Sequence, residues 1–367
     1  MNKSFLIAIG TFLLSTSLDS PSLGNIDQLK IETISLESTQ VEGGRGAALA
    51  RLSDDSLLLG GGLKGDTLFH FKDGNLTELG KLMKQRNRIR DSRFGPTDIA
   101  VLSQRAGVAS ILISYPEFSP KKDCVQLVLF QYSINLINPE LKKGKLWFRG
   151  KPCVPISAVQ HAAGRIAVID SSNVYLTTGD LGYRKIGDPL ARQWLGGVFK
   201  VSEKKITQIS QGHRNPQGIL LIGNDLYISE HGPRGGDELN LIKKGKDYGW
   251  PFVTYGQAYS SGDYVRPTKP GTHQGYEEPL YYWNPSVAPT ELVQLPESSQ
   301  WQGFEKYLVM GTLANQSLIF IALTSKSKVG EVFKYNVGQR IRDLELLSDG
   351  RLVATTDSGA LLFISRE

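Results

Sequence analysis

Residues 53–59, Ser-Asp-Asp-Ser-Leu-Leu-Leu, place a polar turn directly in front of an apolar run of strand length. Polar turns ahead of short aliphatic and β-branched runs indicate antiparallel strands. The same unit recurs along the chain at residues 105–113, 170–176, 223–228 and 348–354. Its turns are centred at 54, 106, 171, 224 and 349, so the intervals are 52, 65, 53 and 125 residues, the last spanning two units. The chain is therefore predicted to be all-β and built from repeats.

The repeat length predicts a propeller. Without a leader of about 17 residues, about 350 remain, and six units of about 58 residues suit four-stranded blades with long loops. A sixth, degenerate unit is expected near residues 303–309, after an insertion at about 248–289. Because a ring of blades needs closure, the strand around residues 31–36 is expected to complete the last blade. We predict one six-bladed β-propeller domain over residues 25–367.

The composition is that of a globular chain. Of the 367 residues, 40% are hydrophobic and 21% are charged, which excludes a disordered or collagen-like chain. The net charge of +6 is spread over single residues and pairs. The densest basic stretch, residues 81–93, carries several cations at alternate positions without interleaved aromatic rings, as on a solvated face. Nucleic-acid binding is therefore not predicted.

The N-terminus has the pattern of an export signal. Lys3 precedes the apolar run 5–14, and the small residues 15–17 follow. The run is too short to cross a bilayer, which needs about 20 residues. We predict a signal peptide over residues 1–20 and a periplasmic or secreted protein without a membrane span. A buried N-terminal helix is the alternative.

Cys124 and Cys153 are the only cysteines in the sequence. Each lies beside a strand-like run, and an oxidising compartment would allow them to pair. We therefore predict a disulfide between them. Two buried free thiols are the alternative, because a sequence does not fix the distance between two Cα atoms. Two cysteines are too few for a thiolate metal cluster.

The densest group of polar residues and glycines runs from 212 to 251. Such loops flank strands, and propeller loops gather around the central channel. Arg214 and Asn215 offer guanidinium and amide donors for an anion or a quinone oxygen. The Gly232-Pro233 carbonyls suit a hard cation such as Ca²⁺. The alternative is a structural ion pair between Arg214 and Glu230, with glycines that only form turns.

Two further motifs accompany this stretch. Residues 281–289 read Tyr-Tyr-Trp-Asn-Pro-Ser-Val-Ala-Pro, and residues 338–343 read Gly-Gln-Arg-Ile-Arg-Asp. Together the motifs resemble the soluble, pyrroloquinoline quinone (PQQ)-dependent sugar dehydrogenases, in particular the aldose branch of the glucose/sorbosone dehydrogenase group. The resemblance is strong over about residues 155–367 and faint before them. It implies a six-bladed propeller and an exported oxidoreductase that converts aldoses to lactones with PQQ, Ca²⁺ and an external electron acceptor.

The resemblance assigns catalytic roles to His161 and Asp180. The family's catalytic histidine precedes a Gly-Arg pair and, nineteen residues later, the aspartate of a Gly-Asp pair; His161 and Asp180 stand at these places. His161 would be the general base that takes the proton of the anomeric hydroxyl, and Asp180 would orient its ring. Without the family, a lone histidine before a strand is more often structural.

The resemblance also implies a cofactor site. Arg214 would stabilise the developing oxyanion, and the Gly232 and Pro233 carbonyls would hold Ca²⁺. The cofactor would be held or covered by Asn215, Ser286, Arg340, Arg342 and Trp283. Without the family, the two arginines at alternate positions of one strand would be interpreted as a solvated face.

Two positions depart from the family. Its Gly-x-Leu-Lys motif supplies a lysine to the cofactor, but residues 311–314 read Gly-Thr-Leu-Ala, so Ala314 removes that cation. Arg93 aligns with a glutamine that the family places near the sugar. One lost charged contact weakens the expected PQQ affinity by about one to two decades. The alternatives are a redox-inactive propeller of the same family that binds a sugar or a protein, and a Ca²⁺-dependent hydrolase such as a lactonase.

Overall fold

The computed structural model describes residues 28–88, 95–155, 161–260 and 262–366. Over these residues the chain forms six antiparallel sheets, arranged as the blades of a six-bladed β-propeller. The all-β, six-bladed prediction is therefore confirmed. The predicted signal peptide lies outside the described residues, so it stays a prediction, as do the domain bounds of residues 25–367.

The chain starts with β1 (Leu29–Ser35) and then forms the blades in sequence order. Blade 1 contains β2 (Ala48–Arg51), β3 (Leu57–Gly61), β4 (Thr67–Lys72) and β5 (Asn75–Lys81). Blade 2 contains β6 (Asp98–Arg105), β7 (Val108–Ser119), β8 (Cys124–Asn135), β9 (Glu140–Arg149) and β10 (Val154–Pro155). Blade 3 contains β11 (Ala163–Asp170), β12 (Asn173–Thr178), β13 (Gly197–Val201) and β14 (Ile206–Gln211).

The second half of the ring differs by a long insertion in its first blade. Blade 4 contains β15 (Pro216–Ile222), β16 (Asp225–Glu230), β17 (Asp237–Leu241) and β20 (Tyr281–Trp283). A long segment between β17 and β20 contains the parallel pair β18 (Val253–Thr254) and β19 (Lys269–Pro270). Blade 5 contains β21 (Pro289–Gln294), β22 (Leu308–Thr312), β23 (Ser317–Ser325) and β24 (Lys328–Asn336). Blade 6 contains β25 (Ile341–Leu346), β26 (Leu352–Thr356), β27 (Ala360–Arg366) and β1.

Helical structure is scarce in the described part of the chain. The helix α1 (Pro189–Arg192) lies between β12 and β13, with Asp188 as its N-cap. Short 3-10 turns occur at Glu37–Thr39, Gln85–Asn87 and Ser299–Trp301. Within the described ranges, no helix has the length and apolar character needed to cross a membrane.

The two ends of the described chain close the ring. β1 pairs antiparallel with β27, from Leu29 opposite Arg366 to Ser35 opposite Ala360. The first strand is therefore the fourth strand of blade 6. This closure was predicted, although the strand begins at Leu29 and not at residue 31.

The recurring sequence unit is the first hairpin of each blade. Its polar turn joins the first and second strands, and its apolar run becomes the second strand, as in β3, β7, β12, β16 and β26. The sixth unit is β22 in blade 5. β3, β22 and β26 are buried at every residue. This burial on both faces explains why these runs lack the polar alternation of a half-exposed strand.

The first strands of the blades line a central channel. β2, β6, β11, β15, β21 and β25 each contact the first strands of both neighbouring blades and so form a closed ring. Because every blade repeats the same up-and-down order, these strands run in the same direction. All of them begin at one end of the channel, which we call the upper end.

Apolar side chains fill the spaces between neighbouring blades. One cluster surrounds Trp301 and Phe320 between blades 5 and 6, and another surrounds Tyr115 and Tyr132 between blades 1 and 2. The core is thus distributed around the ring, between flat sheets. This arrangement leaves the channel to polar groups.

An ionic layer crosses the channel just below the upper end. Nη1 of Arg165 in β11 lies 2.8 Å from Asp343 and 3.2 Å from Glu291, and it lies 3.4 Å from Asp98. Burial raises the pKa of Glu291 to about 7, although Arg165 opposes the shift. A cavity of about 550 Å³ lies on the far side of this layer, lined by residues of all six first strands, among them Asp98, Glu291 and Asp343. The layer separates that cavity from the upper end.

Cys124 and Cys153 form a disulfide, with their Cα atoms 5.4 Å apart. The predicted pairing is confirmed. Cys124 is the first residue of β8, and Cys153 directly precedes β10, which pairs with β8 through Val154 opposite Val125. The bond therefore ties down the short strand that precedes His161 in the chain.

Candidate active site

The predicted site residues stand where first strands begin. His161 lies two residues before β11, Arg214 lies two residues before β15, and Arg340 directly precedes β25. Since the six first strands begin at the same end of the channel, these residues converge at the upper end. Residues that are remote in sequence thus become neighbours.

His161 and Asp180 form a hydrogen-bonded pair. Nδ1 of His161 lies 2.9 Å from Oδ1 of Asp180, whose side chain is fully buried. The same carboxylate accepts hydrogen bonds of 2.8 Å from the backbone N–H of Gly182 and from Nε1 of Trp250. Asp180 is thus held from several sides, and it fixes the orientation of the imidazole.

Tyr264 belongs to the same group. Its hydroxyl donates to Oδ2 of Asp180 at 2.5 Å and lies 3.3 Å from Nδ1 of His161, and the two rings are 5.8 Å apart. Tyr264 and Trp250 both come from the segment between β17 and β20. Neither residue was predicted as a partner of Asp180. Trp250 stood in a noted motif, but no local pattern marks Tyr264.

The backbone around His161 is in an uncommon conformation. His161 has a φ of 49°, in the left-handed region that residues other than glycine rarely adopt. Its carbonyl oxygen approaches Gly179 so closely that a Cβ there would lie 1.7 Å from it. Position 179 therefore has no room for a Cβ, and only glycine fits there. The close approach brings the following residue, Asp180, within reach of His161. Strained backbone of this kind clusters at functional sites.

Arg214 faces the other ring nitrogen of His161. Its Nη2 lies 3.2 Å from Nε2 of His161. Because a guanidinium only donates hydrogen bonds, Nε2 is the acceptor and the ring proton sits on Nδ1, facing Asp180. Burial and the charge of Arg214 lower the pKa of His161, and Asp180 offsets only part of this. At pH 7 the imidazole is neutral, with its lone pair on Nε2.

The pKa of Asp180 also lies below its ordinary value. Burial alone would raise the pKa of this carboxyl, but the charges of His161 and Arg214 and the hydrogen bonds from His161 and Tyr264 outweigh it. Asp180 is therefore ionised at pH 7. It can stabilise a positive charge on His161 without taking the proton itself.

Arg214 also contacts the predicted metal-binding turn. Its Nη1 donates to the carbonyl of Gly232 at 2.6 Å and lies 3.4 Å from the carbonyl of His231. Its guanidinium carbon lies 5.4 Å from the ring of Trp250. Within the described residues, its Nε is buried and has no hydrogen-bond partner. Arg214 therefore links His161 to the Gly232 turn and keeps one donor unused.

The alternative of an ion pair between Arg214 and Glu230 is wrong. Glu230 accepts hydrogen bonds from Nδ1 of His213 at 2.8 Å, from the backbone N–H of Arg214 at 2.9 Å and from Nδ2 of Asn240 at 2.9 Å. Among the described residues, no carboxylate pairs with the Arg214 guanidinium. Its charge is therefore directed at the site.

The turn from Gly232 to Gly236 crowds backbone oxygens together. A Cβ at Gly232 would lie 2.2 Å from the carbonyl oxygen of Gly236 and 2.5 Å from that of Gly235. Asp237 holds the turn by accepting the N–H of Gly232 at 3.0 Å. Oxygen atoms are the ligands that Ca²⁺ prefers. In the described residues, no group of three or more His, Cys, Asp or Glu side chains is arranged to hold a metal.

Asn215 and Ser286 both lie at this end of the channel. Asn215 is buried, and its Oδ1 accepts a hydrogen bond from Nε2 of Gln217 at 3.2 Å. Ser286 donates to Oδ2 of Asp237 at 2.5 Å. Since Asp237 also holds Gly232, it ties the loop of Ser286 to the carbonyl turn. Asp237 was not among the predicted site residues.

Arg340 and Arg342 share one face, as their spacing predicts, and both bind Asp357. Nε of Arg340 lies 2.9 Å from Oδ2 of Asp357, and Nε and Nη2 of Arg342 lie 2.9 and 3.0 Å from its two oxygens. Nη1 of Arg340 also donates to the carbonyl of Leu313 at 3.2 Å. Arg340 therefore lies next to Ala314, which is exposed in the loop after β22.

Two predicted positions are not part of this group. The indole of Trp283 is 9% exposed and packs in the hydrophobic cluster between blades 4 and 5, so it does not cover the site. The ring beside His161 is that of Tyr264. Arg93 lies outside the described residues, and its predicted place near the sugar stays a prediction.

Comparison with known proteins places this arrangement in a family. Residues 48–363 match the family described as Glucose / Sorbosone dehydrogenase. The chain belongs to that family. The match runs from the first residue of β2 into β27 and so includes all six blades. The similarity to the family therefore includes the residues between 48 and 155. The motifs in that part of the sequence showed only a faint resemblance.

Individual relatives agree with this assignment. The chain is 40% identical over 240 residues to Aldose sugar dehydrogenase YliI of Escherichia coli (strain K12), which is 59% of this chain and 63% of that protein. It is 27% identical over 170 residues to Quinoprotein glucose dehydrogenase B of Acinetobacter calcoaceticus, 38% of this chain and 35% of that protein. The matches thus span less than two thirds of either relative.

A solved structure shows the shared fold. The chain superposes on the soluble aldose sugar dehydrogenase from Escherichia coli in the apo form with a TM-score of 0.76 and 24% identity. The superposition covers 92% of this chain and 100% of that chain. The propeller is thus common to both proteins over nearly their whole length.

Proposed function

We propose that this protein is an exported, PQQ- and Ca²⁺-dependent dehydrogenase that oxidises aldoses to lactones and passes electrons to an external acceptor. The proposal depends on one observation: a neutral His161, backed by Asp180 at 2.9 Å, whose Nε2 faces the guanidinium of Arg214 at 3.2 Å. Membership of the glucose/sorbosone dehydrogenase family supports it. Similarity to an aldose sugar dehydrogenase and to a quinoprotein glucose dehydrogenase supports it as well.

His161 takes the proton of the anomeric hydroxyl at Nε2. The lone pair is already at this atom, because the proton on Nδ1 is directed at Asp180. When Nε2 is protonated, the ionised Asp180 stabilises the imidazolium through the same hydrogen bond. A positioned general base of this kind contributes about 10²–10⁴ to a rate.

Arg214 has to give up its hydrogen bond to Nε2 before the sugar hydroxyl can reach that atom. The guanidinium then turns its Nη2 donor toward the oxygen on which negative charge develops. The face of Trp250, 5.4 Å from the guanidinium carbon, supports the cation in both positions. Arg214 thus acts as the electrostatic stabiliser of the reaction.

The described residues fit an anionic quinone and a hard divalent cation. Suitable partners are the unused Nε donor of Arg214, the turn at Gly232, which the carbonyl oxygens of Gly235 and Gly236 approach closely, and the arginines at the start of β25. Gly232 and Pro233 would hold Ca²⁺, and the cofactor would be held by Asn215, Ser286, Arg340 and Arg342. When bound, PQQ would accept hydride from C1 of the sugar, with Ca²⁺ as the Lewis acid.

Export is proposed from the sequence at the N-terminus. The basic, apolar and small-residue pattern of residues 3–17 is that of a secretory signal. The Cys124–Cys153 disulfide supports an oxidising compartment, because cytosolic thiols stay reduced. We therefore propose a periplasmic or secreted enzyme.

A redox-inactive propeller that binds a sugar or a protein is the second candidate. The observation that favours it is the commitment of Arg340 and Arg342 to Asp357, next to the position where Ala314 replaces a lysine. Both arginines are partly neutralised by this carboxylate. A ligand of lower negative charge than PQQ would then suit the site.

Reconstitution with PQQ and Ca²⁺ tests the proposed function. The wild type is expected to bind PQQ and to reduce an artificial dye with aldoses, and His161→Ala is expected to lower the rate by about 10² or more. His70→Ala is the matched control, because His70 lies in β4 and is hydrogen-bonded to Ser56, away from the site. Binding of PQQ without dye reduction by any aldose would favour the second candidate. A wild type that binds no PQQ at micromolar concentrations would overturn the dehydrogenase proposal.

A further inference from the structure

Arg45 stands beside the two arginines of β25. It lies three residues before β2, so it reaches the upper end of the channel from blade 1. A Cβ on the next residue, Gly46, would lie 3.0 Å from Cβ of Arg342 and 2.3 Å from the carbonyl oxygen of Thr356. The chain at Arg45 is therefore pressed against blade 6 at the place where Arg342 and Asp357 meet.

The guanidinium of Arg45 has no carboxylate partner. Its Nη2 donates to the carbonyl of Pro96 at 3.2 Å, and among the described residues it forms no ion pair. Burial, with repulsion from Arg342 and Arg165, lowers the pKa of Arg45 to about 9. Arg45 is half-buried, and a charged side chain that is partly removed from water favours an opposite charge nearby. This position is therefore suited to an anion beyond those that the described residues supply.

The nearest carboxylate, Asp357, has no acceptor left for Arg45. It accepts hydrogen bonds from the backbone N–H of Gly46 at 3.0 Å, from Nε of Arg340 at 2.9 Å, and from Nε and Nη2 of Arg342 at 2.9 and 3.0 Å. A carboxylate has about four lone-pair sites, so Asp357 is saturated. Arg340 and Arg342 thus already share the charge of Asp357, which acts on Arg45 only at longer range, as does the charge of Asp343.

We propose that Arg45 is an additional ligand for a carboxylate of bound PQQ, and that it compensates for the cation lost at Ala314. The inference rests on the proposed function, because it takes PQQ as the anion. Arg340 contacts the Leu313 carbonyl, so Ala314 lies on the blade 5 side of the arginine pair. Arg45 lies on the blade 1 side. The proposal therefore places a cation on the side of the site opposite to the missing lysine.

The pairing chemistry supports a carboxylate as the ligand. A guanidinium presents parallel N–H donors that match the two oxygens of a carboxylate. Arg45 uses one of its donors on the Pro96 carbonyl, which fixes the group without neutralising it. A second carboxylate of the same ligand would meet Arg340 and Arg342.

Equilibrium binding of PQQ to the purified full chain in the presence of Ca²⁺ tests this inference. The readout is the dissociation constant, from calorimetry or from quenching of tryptophan fluorescence, and it needs no turnover. Arg45→Gln is expected to weaken PQQ binding about tenfold to a hundredfold, the usual scale for one charged contact. Arg105→Gln is the matched control, because Arg105 ends the same strand that Pro96 precedes but is exposed at its other end, and it should bind as the wild type does.

A rescue variant links the two positions. Ala314→Lys in the Arg45→Gln background is expected to restore most of the lost affinity, since it returns one cation to the same ligand. Arg45→Met keeps the apolar stem without the charge and replaces Arg45→Gln if the latter does not fold. Thermal unfolding of each variant monitors the fold.

The outcomes separate the inference from the proposed function. Equal PQQ affinity of the wild type and the charge-free Arg45 variants would overturn the role of Arg45 and leave the dehydrogenase proposal intact. A wild type that binds no PQQ would overturn both. Weakened binding in the Arg45 variants with unchanged binding in Arg105→Gln would establish the contact.

Discussion

Nε2 of His161 lies 3.2 Å from the guanidinium of Arg214, while Nδ1 of the same ring lies 2.9 Å from Asp180. The cation on one side and the carboxylate on the other fix a single tautomer. They have opposite effects on the pKa of His161: Arg214 lowers it and Asp180 raises it. The reactivity of the ring is thus set by the balance between these two neighbours.

Replacing Arg214 with glutamine is expected to raise the pKa of His161. Burial lowers this pKa most, and the charge of Arg214 comes next, so removal of the charge leaves only burial against Asp180. The imidazolium then forms at a higher pH than in the wild type. NMR titration of the His161 ring protons, in protein without cofactor, measures the change.

His70 is the internal control for this titration. Burial lowers its pKa too, but its charged neighbours are Asp54 and Lys72, which Arg214→Gln does not touch. Its titration should stay constant. An unchanged or lower pKa at His161 would show that Arg214 does not control the base.

Tyr264→Phe is expected to slow turnover about threefold to tenfold, which corresponds to one lost hydrogen bond. The hydroxyl donates to Asp180 at 2.5 Å, and without it the carboxylate is less firmly placed behind His161. Since Tyr264 acts through Asp180, the change should appear in kcat more than in KM. The pKa of His161 should also rise, because a carboxylate with one donor fewer attracts the imidazolium more strongly.

Tyr259→Phe is the control for this change. Tyr259 lies in the same inserted segment but is 58% exposed. Steady-state kinetics and the pH dependence of kcat/KM should be those of the wild type. If Tyr264→Phe alters stability alone, with kcat and the pH profile unchanged, Tyr264 is a packing residue.

The sequence was sufficient to predict the ring of six blades and the pairing of His161 with Asp180. Each blade begins with a polar turn and an apolar run, and this local pattern repeats often enough to count six blades. The spacing between His161 and Asp180 is also local, because both flank one hairpin of blade 3. Such features depend on residues that are close in the chain.

The remaining contacts join distant parts of the chain. Asp180 meets Tyr264 across 84 residues, and Gly46 meets Asp357 across 311. Packing of the segment inserted in blade 4 against blade 3 determines the first pair, and closure of the ring determines the second. Nothing in the local sequence records either contact. Trp283 was misjudged for a related reason: the side of a short strand that faces the core depends on how the neighbouring blade packs against it.

Removing the disulfide is expected to lower the free energy of unfolding by about 2–4 kcal/mol. The bond closes a loop across a separation of 29 residues, and its loss frees the unfolded chain more than the folded one. The double variant Cys124→Ser, Cys153→Ser should therefore unfold at a lower urea concentration. Reduced wild type should match the double variant, and equal midpoints for the oxidised wild type and the double variant would contradict the expectation.

Gly179→Ala is expected to separate His161 from Asp180. The added Cβ would lie 1.7 Å from the carbonyl oxygen of His161 and 2.7 Å from its carbonyl carbon. Both are backbone atoms, so no side-chain rotation relieves the contact, and the backbone at His161 has to shift. A misplacement of about 1 Å in a catalytic group costs about a hundredfold in rate. We expect a loss of kcat between tenfold and a hundredfold.

Gly187→Ala is the matched control. A Cβ at Gly187 would lie 3.6 Å from the ring of Phe252 and 3.8 Å from Cγ of Pro251, and both are ordinary contacts. Neither glycine has a positive φ, so the two variants differ in contact and not in backbone preference. Turnover of Gly187→Ala should equal that of the wild type. Wild-type kcat and wild-type titration of His161 in Gly179→Ala would contradict this expectation. They would show that the close approach of the two segments does not position His161 against Asp180.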